Sequence, residues 1–225
     1  MKRSMSTVAG MLGVFVLSML LSACGRPQVP ASISYRTSLR AVEPMRIAIL
    51  PLVPVDGVGH SVHVLDDALA ASLRTLGLHE VVLVPSERAR QLLPATAALQ
   101  STVSTADLLR LRDGLQIDAV LLGRVDQFQG FDPVAVGVTV HLVSVDDGAV
   151  LWSATAHLDA GRTDVQTDLR WWHEHANGDG NPTIGGWQLG LSSPTIFCRY
   201  VADRLVETIN HKADDSAAAS SATAK

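Results

Sequence analysis

The chain has 225 residues, 47% of them hydrophobic, with 18 basic and 22 acidic side chains and a formal charge of −4. That length suits one ordinary domain with tails. Nucleic-acid binding needs a basic face to neutralise phosphates, and nothing like one is visible, so no nucleic-acid partner is expected.

Lys2 and Arg3 form a short positive segment, and no acidic residue precedes Cys24. From Val8 to Leu21 the chain is almost wholly apolar or small, with Ser18 the clear polar interruption. A helical span of the bilayer needs roughly 20 apolar residues, so this stretch reads as a signal-peptide core rather than a membrane helix. It runs into Leu21-Ser22-Ala23-Cys24-Gly25, which resembles the lipobox of bacterial lipoproteins. The resemblance implies that residues 1–23 are removed and that Cys24 carries covalent lipid; several acyl chains anchor firmly where one does so only marginally. No other cofactor is expected. Gly25 stands where an inner-membrane retention signal would show Asp, so the resemblance points to the outer membrane, with the domain facing the periplasm. Loss of Lys2 and Arg3 takes the 18 basic residues to 16 against 22 acidic ones, a formal charge of −6. With Cys24 acylated, Cys198 is left without an intrachain disulfide partner and, in an apolar helical pattern, reads as a buried structural thiol.

Residues 24–44 contain two prolines before position 44 and no sustained period, and are expected to be a flexible tether. MRIAILPL, Met45 to Leu52, is a short apolar run stopped by prolines, as in a buried strand. After a loop with Gly57 and Gly59, Ser61 or Asp66 opens a helix in which Leu65, Leu69, Leu73 and Leu76 recur at helical spacing, with Gly77 placed as its C-cap. Glu80 to Val84 is a second strand, and Ser86 caps a short helix through Leu93. Thr105 opens another helix with Leu108, Leu109, Leu111 and Leu115 inward and Gly114 near its end. Strands then start at Ile117, Val134 and Ala149. The middle one alternates clearly through Val136, Val138, Val140 and Leu142, and Asp146-Asp147-Gly148 makes a hairpin turn before the last. Asp164 to Ala176 reads as a helix, residues 177–192 as a loop, and Ser193-Pro194 as a helix start with Phe197, Val201, Leu205 and Ile209 on one face. The expected fold is therefore a single α/β (α+β) domain over residues 45–211, in two or three layers. It has a mixed β-sheet, a β-meander and flanking helices, with an aromatic-rich insertion at about 162–195. Residues 212–225 are small and polar and are expected to be a disordered tail.

RIAILPL, DAVLLGRV and VTVHLVSVDDGAVLW, behind a lipobox, resemble the periplasmic α/β domain shared by the curli-secretion lipoprotein CsgG, the TolB N-terminal domain and related envelope lipoproteins. LpoB, an activator of penicillin-binding proteins, has a comparable domain. The matching stretch runs from about Met45 to Ala156, and its most specific piece is Asp147, Gly148, Val150, Leu151 and Trp152. The resemblance implies a non-enzymatic assembly or interaction module, with envelope proteins or further copies of itself, as a homo-oligomeric ring, for partners. Alternatives are an LpoB-like activator of a cell-wall synthase and a secretion-pore subunit. Barrel strands of about 9–11 alternating residues, which a pore would need, are not paired outside the core.

No phosphate loop, nucleophile elbow, H-E-x-x-H helix or C-x-x-C pair occurs, and no catalytic residue is assigned. His173-Glu174-His175, with Asp179, is the one metal-site candidate and the basis of a third alternative, a metal-dependent hydrolase. On a helix, however, positions 173 and 175 point about 200° apart. Aromatics are scarce, yet Trp171, Trp172, Trp187, Phe197 and Tyr200 all fall in the last third. Either the terminal helices fold back and bury these rings, or Trp171, Trp172 and Trp187 include an exposed contact for a partner or the membrane.

Overall fold

The computed structural model describes residues 30, 32–38, 45–54, 62–77, 79–93, 103–175 and 186–209. The expected signal peptide, Cys24, the Gly57/Gly59 loop, Asp179 and the tail at 212–225 lie outside these.

Seven strands form one mixed sheet: β1 (Ile33–Thr37), β2 (Met45–Ile49), β3 (Val53–Pro54), β4 (His79–Leu83), β5 (Ala119–Gln129), β6 (Ala135–Ser144) and β7 (Val150–Asp159). The order across it is β1-β7-β6-β5-β2-β4, with β3 pairing β5 beyond the end of β2. Strands β4, β2 and β5 run parallel, whereas β5, β6, β7 and β1 are antiparallel. The helices are α1 (His63–Thr75), α2 (Ser86–Leu92), α3 (Thr105–Leu115), α4 (Thr163–His175), α5 (Leu189–Ser192) and α6 (Pro194–Glu207).

Side-chain alternation along the strands sorts the core into two layers. Ile47, Ile49, Leu121, Val136, Val138, Val140, Leu142 and Trp152 point to one face, where α1, α4 and α6 cover them. Leu65, Leu69 and Leu73 of α1 are fully buried there, each contributing about 1.5–3 kcal/mol relative to exposure. Phe197, Val201, Leu205 and Ile209 meet the same face from α6 and the turn after it. Ala48, Leu50, Val120 and Leu122 point the other way, under Ala89 and Leu93 at α2 and Leu108 and Leu111 of α3. The parallel half thus has three layers. Among the described residues this second cover reaches β5 and the end of β6.

Two expectations are corrected. The stretch expected as a tether includes β1, which pairs antiparallel with β7 from Ile33↔Ala156 to Thr37↔Trp152. Its five residues alternate, Ile33, Tyr35 and Thr37 facing the core side, and an edge strand needs only this short a pattern. The helix α3 ends at Leu115, with Gly114 near its end as expected, and is closed by Gln116, held in the left-handed region at φ 55°. Leu92 lies where a side chain at Gly114 would be. On α3, Leu109 is exposed rather than inward.

Capping follows local chemistry. Ser104 accepts a hydrogen bond from the Asp107 amide at the start of α3, and Ser193 precedes Pro194 at the start of α6. Asp66 is no cap: it lies buried in the first turn of α1, where its carboxylate accepts from the Leu52 amide and ties the helix to the β2–β3 corner. Burial is the main cause that raises its pKa. Gly148, at φ +71°, closes the β6–β7 hairpin as Asp-Gly chemistry predicts, and Asp147 accepts from the Ala149 amide across the turn.

Candidate interaction surfaces

The aromatic third of the chain builds a buried polar cluster between α4 and α6. Asp168 lies on α4 among Val165, Leu169 and Trp172, and Arg204 lies on α6 among Val201, Leu205 and Tyr200, all of them buried. Arg204, 1% exposed, donates through Nε and Nη2 to the two Asp168 oxygens, a bidentate pair. Tyr200 adds its hydroxyl to Asp168 at 2.7 Å, and Glu207 takes Arg204 Nη1 at 2.7 Å. Burial opposes the Arg204 charge, but the two carboxylates more than offset it and raise its pKa. The Tyr200 phenol is pushed far up, first by burial and then by Asp168, so it remains a donor.

The tryptophans divide by role. Trp172 is 1% exposed, donates from Nε1 to Asp203 at 2.9 Å, and meets Tyr200 edge-on; it takes the buried alternative and is withdrawn as a surface contact. Asp203 also accepts from Ser72, so one carboxylate joins α1, α4 and α6. Trp171 is half-buried, its ring 5.0 Å beneath the Arg204 guanidinium and stacked on His175. Trp187, just before α5, is half-buried. Trp152, from the hairpin motif, is fully buried and donates to Thr208 at 2.9 Å, locking the end of α6 to β7.

His173 and His175 do not converge on an ion. His175 Nδ1 lies 2.8 Å from the Trp171 carbonyl, to which it donates, while His173 Nε2 is buried with no hydrogen-bond partner. Among the described residues no cluster of three His, Cys, Asp or Glu could hold a metal. Cys198 is fully buried, and burial pushes its thiol up to about 12, which makes it inert. No helix among the described residues is long and apolar enough to cross a membrane.

Among the described residues, two accessible surfaces remain on the sheet. Where the second helical cover stops, register places polar side chains in cross-strand rows: Arg36, Ser153 and His141 in one, Ser34, Thr155, Thr139 and Arg124 in the next. Thr155 donates to Thr139, Thr139 to Asp126, and Asp126 pairs with Arg124 at 2.7 Å. Sequence alternation revealed the apolar partners of these residues but not that, among the described residues, no helix covers them. The second surface is an open groove of about 400 Å³ between the start of α3 and the β6–β7 hairpin, lined by Val103, Leu108, His141, Val143, Asp147 and Val150. His141 sits at the meeting of the two; burial and then Arg124 lower its pKa.

No family model matches the chain, and neither does any curated protein. Among solved structures it is similar to the PelC dodecamer of Paraburkholderia phytofirmans, at 19% identity over 79% of this chain and 92% of that one, TM-score 0.46. It is also similar to a lipoprotein of Neisseria meningitidis, at 18% identity over 60% and 98% of the two chains, TM-score 0.36. The C-terminal domain of Escherichia coli LpoB aligns at 12% identity over 63% and 93%, TM-score 0.37. At these scores no function transfers to this chain from any of the three.

Proposed function

We propose that this chain is an exported lipoprotein, acylated on Cys24 and held at the outer membrane facing the periplasm. Its domain is a non-enzymatic assembly or protein-interaction module of the CsgG/TolB-like kind. The anchor is supported by the sequence Leu21-Ser22-Ala23-Cys24 behind its apolar segment. The module is supported chiefly by how the domain uses its polar groups. Asp66, Asp168, Asp203 and Arg204 each bind elements of the fold together, whereas the open half of the sheet turns its rows of Arg, Ser, Thr and His outward. A surface of that kind suits a partner that brings its own polar side chains, with water between them. A homo-oligomeric ring is one form of this role, and docking on a cell-wall synthase is another.

A photocrosslinking residue at Ser34 or Thr155, with Arg74 on the helical face as control, tests the assignment in intact cells. The expected result is a discrete adduct from the sheet face and none from Arg74. Light scattering of the detergent-extracted protein then separates the forms: a defined high-order assembly means copies of this chain, a monomer means a different partner. Absence of any discrete adduct from the sheet face would refute the assignment.

A further inference from the structure

The two ends of the sheet are chemically unlike, and the chain enters at one of them. β1 runs antiparallel to β7, so Pro30, Ser32 and Ile33 lie at the Asp159 end, with the Ser32 carbonyl accepting from the His157 amide. Asp159 pairs with Ala135, which follows the β5–β6 turn at Gly130–Pro133. The segment around α5 closes the same end, since the Val134 amide donates to the Leu191 carbonyl. Phe131, at the tip of that turn, is 72% exposed, and Leu189, the first residue of α5, is 38% exposed, near half-buried Trp187. The turn is braced, because the Gln129 side chain donates to the Pro133 carbonyl at 2.7 Å.

Resting on the acylation of Cys24, we infer that this end of the domain sits on the membrane, with Phe131 placed in the interfacial layer of the lipid. Cys24 precedes Pro30 by six residues, a reach of at most about 20 Å. The ten residues of β7 extend about 33 Å, so the opposite end of the sheet lies beyond that reach when the Asp159 end is tethered. Length therefore selects the end that carries the exposed ring. Aromatic side chains suit the boundary between headgroups and acyl chains, where part of the ring leaves water. Exposed Asp132 stands beside Phe131, so anionic lipid would repel this tip rather than draw it in, and the ring is the group left to hold it there.

The test uses the full chain extracted with its acyl groups and placed in phosphatidylethanolamine–phosphatidylglycerol vesicles. Phe131→Cys and Val150→Cys, the latter at the opposite end, are each labelled with an environment-sensitive dye; Cys198 is fully buried and stays unlabelled. The expected result is a blue shift at position 131, quenched by lipid-borne nitroxide, with no shift at 150; the shift persists in 0.5 M salt, where the Debye length falls below about 10 Å and an apolar contact is left in place. Acyl mass on Cys24 with no shift at 131, or equal shifts at both sites, overturns the inference and leaves the anchor standing. Absence of acyl mass on Cys24 overturns the anchor and the inference with it.

Discussion

Replacing Asp168 with Asn isolates the charge of the buried pair, because the side chain keeps its shape and one acceptor oxygen. Arg204 is 1% exposed and would lose its bidentate partner, retaining Glu207 through Nη1. Removing one member of a buried ion pair costs about 3–5 kcal/mol, since the remaining charge is left without compensation. Glu207 is partly solvated and takes up part of the loss, which places the cost near the lower bound, about 3 kcal/mol. With a urea dependence of roughly 2–3 kcal/mol per molar for a domain of this size, the unfolding midpoint should fall by about 1–1.5 M. Tryptophan fluorescence reports the transition directly, since Trp171 lies under the Arg204 guanidinium. The pair Asp168→Leu with Arg204→Met removes both charges and should be less destabilising than Asp168→Leu alone. It still orphans the Tyr200 hydroxyl, at a cost of about 1–3 kcal/mol. A loss below about 1 kcal/mol for Asp168→Asn, or a double variant as poor as the sum of its singles, would refute the buried-pair account.

Three further outcomes follow from particular contacts. The His141 imidazole titrates below its ordinary value because it is partly buried and faces Arg124, so Arg124→Gln should raise its pKa in an NMR titration. A depressed histidine binds fewer protons folded than unfolded; its contribution to stability is present above about pH 6.5 and is lost as pH falls toward the lowered value, a dependence that His141→Gln should flatten. Gly123→Ala would set a methyl 2.3 Å from the Thr139 carbonyl in the neighbouring strand, backbone against side chain with nothing flexible to yield. Its cost, at or above the top of the roughly 1–3 kcal/mol overpacking range, should exceed that of Gly148→Ala, and thermal unfolding of the two would show the order. The Cys198 thiol should stay unreactive to an aromatic disulfide reagent at pH 8 in the folded protein and react at once in denaturant.

The strands and helices of the core were legible because their periods are uninterrupted: Val136, Val138, Val140 and Leu142 alternate, and Leu65, Leu69 and Leu73 recur at helical spacing. The mixed sheet was legible as a class, but not its order, since nothing local says that β5 lies between β2 and β6. β1 was missed because five alternating residues after a proline are too few to stand out from a loop. Trp172 could have been assigned to the core from its spacing with Val165 and Leu169, the same face of α4. Asp168 and Arg204 were the signals left unused. Each is a charge on an otherwise apolar helical face, of opposite sign, and two such faces pack most cheaply against each other. The open polar rows could not be read, because alternation looks the same whether a helix or water lies over the outer side chains.

The direction of the strands separates the kinds of partner the domain can meet. With the Phe131 end on the lipid, the rows that contain Ser34, Thr139 and Thr155 lie along the side of the domain, where a second copy anchored in the same membrane would approach. The groove beside Val150 lies at the far end, about 33 Å from the tether along β7, where a soluble partner arrives without displacing lipid. Self-association and partner capture should then be separable by mutation. Thr155→Arg places a third cation near Arg36 and Arg124 and should dissociate an assembly of copies, while Val150→Asp, beside Asp147, should weaken a distal partner and leave the assembly intact. Light scattering reads the first and crosslinking from the groove reads the second. If either substitution abolished both, the two surfaces would be one, and the orientation set by the tether would be wrong.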